Sequence, residues 1–185
     1  MSCHIGEWLN CKRHGKGKIY YKNGNIIYDG DFVNDKFEGN GKYIYEDGEY
    51  YIGEWLNGNK HGKGILYYKD GNIKYEGDYV NDNKEGKGKY IWENGNYYIG
   101  EWLNGHKHGK GILYYKDGNI EYEGDYVNGK REGKGKYIWE NGNYYIGEWL
   151  NGNEHGKGIE YYKDGSIKYE GNFVNGNYQK KCIII

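Results

Sequence analysis

Tyr51-Ile52-Gly53-Glu54-Trp55-Leu56-Asn57-Gly58-Asn59-Lys60-His61-Gly62-Lys63-Gly64-Ile65-Leu66-Tyr67-Tyr68-Lys69-Asp70-Gly71 is the stretch whose reading decides the fold. In its first six residues Tyr, Gly and Trp alternate with Ile, Glu and Leu, the two-residue period of a strand with two different faces. Asn57 to Gly62 are turn formers. Lys63 to Tyr68 reads as the returning strand. Asp70-Gly71 then closes a tight turn, since Asp-Gly and Asn-Gly are the preferred pairs where both central residues of a type I′ turn need positive φ. The stretch predicts a β-hairpin that runs straight into another strand, with no room for a helix.

Working outward, the stretch is copied along almost the whole chain. A Gly-[Asp/Glu/Asn]-aromatic triplet begins at Gly6, Gly30, Gly53, Gly77, Gly100, Gly124, Gly147 and Gly171, at alternating spacings of 24 and 23 residues. Odd copies resemble the stretch above. Even copies read YEGDYVNDNKEGKGKYIWENGNY, as from Tyr75, and the two types make a 47-residue super-repeat. Seven copies are nearly complete, and an eighth starts at Tyr169 and stops soon after its first strand. The expected fold is all-β: an elongated, single-layer antiparallel meander of about fifteen strands, twisted into a ribbon or trough. The array covers 4–178, and 179–185 form a tail.

Composition agrees with this pattern. The 185 residues include Gly 34, Tyr 25, Trp 6 and Pro 0, with no alanine or threonine. Glycine spread this evenly argues against a helical bundle, the absence of proline and of a three-residue period argues against collagen, and 18% aromatics are too many for a disordered chain. Tyr and Trp rings stacked between neighbouring hairpins bury apolar area while their polar tips reach water. The 26 basic and 27 acidic residues are interspersed, which argues against nucleic acid as a partner. Cys3, Cys11 and Cys182 form neither an even disulfide set nor a metal cluster, as expected in a reducing, cytoplasmic compartment. No secretory leader and no apolar run of membrane-spanning length is present.

The pattern Tyr-x-Gly-[Glu/Asp]-Trp/Tyr, Asn-Gly, His-Gly-x-Gly resembles the MORN repeat (membrane occupation and recognition nexus). Tyr98, Gly100, Trp102, Gly105, His108, Gly109 and Gly111 carry it in one copy, and Tyr51, Gly53, Trp55, Gly58, His61, Gly62 and Gly64 in another. Even copies depart from it by placing Glu38, Glu85 and Glu132 where odd copies have His. The resemblance implies a stack of hairpins acting as a scaffold or targeting module, with phospholipid binding often attributed to the family but transferable to no residue here.

The residues themselves offer no catalytic constellation. His14, His61, His108 and His155 recur four strands apart, ~19 Å, far beyond the reach of one metal ion. Glu54, Asp78, Glu101, Asp125 and Glu148 form a ladder rather than a pocket and read as surface pairing with lysines. Gly62-Lys63-Gly64 lacks the spacing of a phosphate loop, and Ser2 and Ser166 stand in no nucleophile motif. The chain is therefore read as non-enzymatic, without cofactor or metal. Lys16, Lys63, Lys110 and Lys157 form a candidate edge for anionic lipid or an acidic partner, against a bland reading as a solvated edge that discourages aggregation.

The sequence ends Lys180-Lys181-Cys182-Ile183-Ile184-Ile185. A cysteine followed by two aliphatic residues and a final residue is a prenylation motif, and Lys180 and Lys181 add attraction to an anionic leaflet. The reading is a scaffold or adaptor held on a cytoplasmic membrane face through Cys182, binding a protein partner. The alternative is a soluble binding or regulatory subunit that never meets lipid. The strand near Tyr169–Val174 is a candidate for pairing with a second copy.

Overall fold

A computed structural model describes residues 3–179. The tail residues Lys180, Lys181 and Cys182 lie outside the described residues, as does the lipidation motif they form. The chain divides into two units. The first holds β1 (Cys3–Leu9), β2 (Lys12–Tyr20), β3 (Ile26–Val33), β4 (Lys36–Ile44), β5 (Tyr50–Leu56), β6 (Asn59–Tyr67), β7 (Ile73–Val80) and β8 (Asn83–Ile91). The second holds β9 (Tyr97–Leu103), β10 (His106–Tyr114), β11 (Ile120–Val127), β12 (Lys130–Ile138), β13 (Tyr144–Leu150), β14 (Asn153–Tyr161), β15 (Ile167–Val174) and β16 (Asn177–Tyr178). In each unit every strand pairs antiparallel with the next in sequence. No helix occurs among the described residues, so the fold is the all-β meander of hairpins that the sequence predicts.

The two faces also fall as expected. Tyr51 and Trp55 are buried while Ile52 and Leu56 are exposed, and the same holds for Tyr98, Trp102, Ile99 and Leu103. Across the middle of each unit runs a row of glycines facing glycines. In the first unit it links Gly6, Gly17, Gly30, Gly41, Gly53, Gly64, Gly77 and Gly88. In the second it links Gly100, Gly111, Gly124, Gly135, Gly147, Gly158 and Gly171. The ring of each first-strand tyrosine lies across this row. A Cβ added at Gly64 would overlap the ring of Tyr51, and one at Gly111 would overlap that of Tyr98.

The turns differ from the sequence expectation in an instructive way. The type I′ turns are not the Asp70-Gly71 class but Asn57-Gly58 and its equivalents. Asn57 and Gly58 have φ of 53° and 91°, and Asn104 and Gly105 have 50° and 80°. Strand β6 begins at once at Asn59, so the turn spans two residues rather than Asn57 to Gly62. At Asp70-Gly71 only the glycine has positive φ, 90°. There Gly71 donates its N–H to the Tyr68 carbonyl (3.0 Å), and Tyr68 donates its N–H to the Asn72 carbonyl (2.9 Å). This is a longer loop ending in a left-handed glycine. Asp70 earns its place by accepting the Asn72 amide on Oδ1 at 2.9 Å, an Asx interaction that a type I′ turn does not use.

Gly62 has φ of 57° and sits in a bulge, because the register jumps from Gly53↔Gly64 to Glu54↔His61. The two extra residues set Lys60, rather than Gly62, opposite Trp55 on the tyrosine face, while Lys63, three residues on, points to the other by strand alternation.

The paired glycines are expected to be the least tolerant positions of the fold. Gly111→Ala drives a Cβ into Tyr98 and is expected to cost about 2 kcal/mol or more, a typical overpacking penalty. Gly118→Ala, where a Cβ meets only Tyr97 Oη at 3.9 Å, bears only the left-handed backbone cost of roughly 1–2 kcal/mol. Thermal and urea unfolding of the two variants should rank them in that order, and equal midpoints would contradict the packing argument.

Candidate functional site: the aromatic face and its cations

The buried face is a chain of tyrosines tied to their own strands. Tyr51 donates its hydroxyl to the Glu54 carbonyl (3.1 Å), Tyr98 to that of Glu101 (3.1 Å) and Tyr145 to that of Glu148 (3.0 Å). Tyr28, Tyr75 and Tyr122 do the same toward Asp31, Asp78 and Asp125. Burial raises the pKa of all six phenols well above the ordinary tyrosine value. Rings meet edge to face within a strand, as Tyr51 and Trp55 at 5.2 Å, and between neighbouring copies, as Tyr51 and Tyr79 at 5.2 Å, Tyr98 and Tyr126 at 5.3 Å, and Tyr122 and Trp149 at 5.2 Å between ring centroids. Each such pair contributes about 0.5–1.5 kcal/mol beyond area burial.

On this aromatic floor lies a row of cations that the sequence reading did not single out. The residue five after the triplet's aromatic faces it across the hairpin: Lys60 opposite Trp55, Lys84 opposite Tyr79, Lys107 opposite Trp102 and Arg131 opposite Tyr126. Lys60 Nζ lies 5.8 Å from the Tyr51 ring and 5.5 Å from that of Tyr79. Lys84 Nζ is 4.5 Å from Tyr90, and Lys107 Nζ is 4.8 Å from Tyr126. The Arg131 guanidinium stacks at 4.4 Å from Trp149 and 4.9 Å from Tyr137. Among the described residues Lys60, Lys107 and Arg131 have no carboxylate in ion-pair contact. Burial depresses the lysine pKa values, and Lys84, with Lys74 and Lys60 adding like-charge repulsion, falls to about 8. The signal was present in the sequence as aromatic-x4-cation, but it shows only when the hairpin register is known.

The residues that the sequence did single out lie on the opposite face. Lys16, Lys63 and Lys110 form ion pairs with Asp31, Asp78 and Asp125, each at 2.5 Å. Lys157 instead faces the uncharged Asn172. The candidate lysine edge is thus mostly paired within the chain, at exposed positions where such pairs are worth at most about 1 kcal/mol. The acids split into two roles. The aspartates of even copies hold those lysines. In the odd copies Glu7 and Glu54 accept backbone amides of the bulge, from Lys16 at 3.2 Å and Lys63 at 2.9 Å, so surface pairing with lysine does not describe these two. His61, His108 and His155 stand opposite Glu54, Glu101 and Glu148 in register. Their Nδ1 atoms, and that of His14, are buried without a hydrogen-bond partner. Among the described residues no three His, Cys, Asp or Glu side chains gather as metal ligands.

With the hairpin geometry in place, comparison with known proteins is decisive for the family. The sequence matches the MORN repeat over 4–26, 28–50, 51–73, 75–97, 98–120, 122–144 and 145–167. The chain belongs to the MORN repeat family. Among solved structures it is similar to a protein of unknown function from Bacteroides caccae, at 10% identity over 88% of this chain and 76% of that one, with a TM-score of 0.21. It is also similar to the TCP10 domain of Danio rerio CPAP, solved with a STIL peptide, at 14% identity over 92% of this chain and 100% of that one, TM-score 0.24. Superposition this loose bears on neither fold nor function.

The depressed Lys84 pKa makes stability depend on pH in the alkaline range. The folded state releases this proton near pH 8, whereas an unfolded lysine keeps it to about 10.5. Between these values the unfolded chain binds more protons, so stability contributed by this site rises with pH. NMR titration of the Lys84 side chain should find a midpoint near 8, and Lys84→Met should remove that rise. A midpoint at the ordinary lysine value would contradict the burial of the ammonium.

Proposed function

We propose that this protein is a non-enzymatic MORN scaffold or adaptor whose aromatic, cation-bearing face receives an acidic protein partner. The observation that carries this reading is the row itself. Lys60 and Lys84 in one unit, and Lys107 and Arg131 in the other, recur two strands apart, ~10 Å. Among the described residues none of Lys60, Lys107 and Arg131 has a carboxylate within ion-pair distance, although Asp82, Glu121 and Glu154 lie near enough to act on them through space. A partner with acidic side chains at a matching interval would supply the missing counter-charges, and already half-desolvated cations lose less hydration on contact than fully exposed ones.

The experiment is affinity purification from the protein's own cells, comparing wild type with a Lys60→Glu, Lys107→Glu variant and a Lys16→Glu, Lys63→Glu variant. Partners with acidic contact segments should be lost roughly tenfold or more with the first variant and kept with the second. Equal recovery with the wild type and the first variant would rule the face out.

We further propose that the scaffold is held on a cytoplasmic membrane face by prenylation of Cys182, with Lys180 and Lys181 adding electrostatic attraction. Support comes from the sequence motif, and it requires Ile185 to be the last residue of the protein. One lipid chain gives only marginal, reversible binding, so the basic pair and partner contacts would share the anchoring. Mass spectrometry of the C-terminal peptide, with membrane partition of Cys182→Ser, tests this. An unmodified cysteine, or partition unchanged by the substitution, would leave the soluble adaptor.

A further inference from the structure

Glu154 breaks the cation row. It faces Trp149 in register, where Lys60 faces Trp55 and Lys107 faces Trp102. The Lys107 ammonium lies 5.6 Å from Trp92, 5.5 Å from Tyr98 and 4.8 Å from Tyr126. The residues 47 positions on are Trp139, Tyr145 and Phe173. The copy from Tyr145 therefore repeats the aromatic setting but replaces the cation it holds elsewhere with a carboxylate.

That carboxylate is half-buried and has no side-chain hydrogen bond or ion pair among the described residues. It lines a cavity of about 200 Å³ with Tyr137, Trp139, Trp149 and Arg131. Drug-sized ligands need roughly 300–1,000 Å³, so this space suits a single small head group. Arg131 does not close it by pairing with Glu154. Its guanidinium is stacked on Trp149 and donates an N–H to the Gly152 carbonyl at 3.0 Å.

We propose that the cavity between Trp139, Trp149 and Glu154 binds an alkylammonium cation, taken from a lysine side chain of a partner polypeptide or from a free small amine. The Trp149 ring is already stacked on Arg131, so the cation draws on the Trp139 ring and on a charge-assisted hydrogen bond to the carboxylate. In the copy from Tyr98 the protein fills the corresponding place with its own Lys107. In the copy from Tyr145 the ligand brings the ammonium. The site stands independently of the acidic partner proposed above.

The charged groups facing Glu154 are Arg131 on β12, Glu160 on its own strand and Lys168 on β15, with the Tyr145 phenol beside it on β13. Lys168 is itself paired with Glu160 at 2.6 Å. Burial, helped by Glu160 and opposed by Arg131 and Lys168, pushes the Glu154 carboxyl up to about 7. Only the ionised form attracts a cation, so affinity rises as pH increases through that value.

The test uses the full chain with 15N-labelled tryptophan indoles, titrated with butylammonium and with a capped Gly-Lys-Gly peptide. Norleucine in place of lysine, and acetate, are the controls. The Trp139 and Trp149 signals should move with the cations and not with the controls, and more strongly above neutral pH than below. Affinity should fall roughly tenfold in Glu154→Gln. Glu154→Lys, which gives this copy the residue found at Lys60 and Lys107, should keep the indole spectrum of a folded protein and abolish binding. Whichever cation binds more tightly identifies the source. Absence of indole shifts, equal binding of the controls, an affinity flat with pH, or binding unchanged in Glu154→Lys would each overturn the proposal.

Discussion

The structure depends on one contact: a tyrosine ring laid across two glycines that face each other on adjacent strands. Tyr98 over Gly100 and Gly111 is an example. The ring needs the space that two missing Cβ atoms leave, and its hydroxyl reaches the Glu101 carbonyl at 3.1 Å. The contact therefore fixes register, since a slip by one residue would remove both the space and the acceptor. It also replaces a second layer. A lone sheet cannot bury aliphatic side chains against an opposing element, but it can bury flat rings against its own backbone. The shortage of aliphatic core residues and the excess of glycine and tyrosine are two consequences of this one arrangement.

Most of the fold was legible because each hairpin is short and its signals are local. Alternation in Tyr51 to Leu56 gave the faces, and copying gave the order of strands. The turns were read less well, for a physical reason. Asn-Gly and Asp-Gly pairs occur at both ends of a hairpin, and composition does not tell a two-residue turn from a longer loop ending in a left-handed glycine. What separates them is the hydrogen bond from Tyr68 N–H to the Asn72 carbonyl, a relation between residues four apart. Asn34-Asp35 makes the same point from the other side. Both residues adopt positive φ, 49° and 70°, without any glycine, since the turn tolerates Asp and the Asp35 side chain accepts the Arg13 amide at 3.0 Å.

The candidate site was less legible than the fold. Lysines that follow glycines, such as Lys63, are conspicuous in the sequence, yet strand alternation puts Lys63 on the outer face, where Asp78 meets it. Lys60, buried within the turn region of a sequence-level reading, is the one that reaches the rings. That Lys60 rather than Gly62 stands opposite Trp55 rests on a two-residue irregularity in register, which no periodicity in the sequence announces. The odd-copy acids were misread for a related cause. Glu54 lies opposite the bulge, whose freed Lys63 amide competes better for its carboxylate than a mobile surface lysine does.

In a repeat protein every copy serves as a control for the others, so a departure at one position can be judged against neighbours in the same setting. The place held by Lys60 and Lys107 has even-copy counterparts in Phe37, Lys84 and Arg131. Phe37 replaces charge with a ring that stacks on Tyr28 at 3.8 Å, and the site remains satisfied because the burial is apolar on both sides. Lys60, Lys107 and Arg131 are satisfied in another way, since a cation over a ring face offsets part of its lost hydration. Glu154 has only partial relief, from Arg131 and Lys168 acting at a distance. The face of an aromatic ring carries negative potential, so an anion beside Trp139 and Trp149 is repelled by the surroundings that hold a cation elsewhere. A residue that breaks the local rule with no hydrogen bond or ion pair to compensate among the described residues marks either a burden or a function. The cavity sets this carboxylate beside the Trp139 ring, while Arg131 is held away on Trp149 and the Gly152 carbonyl, and that arrangement favours function.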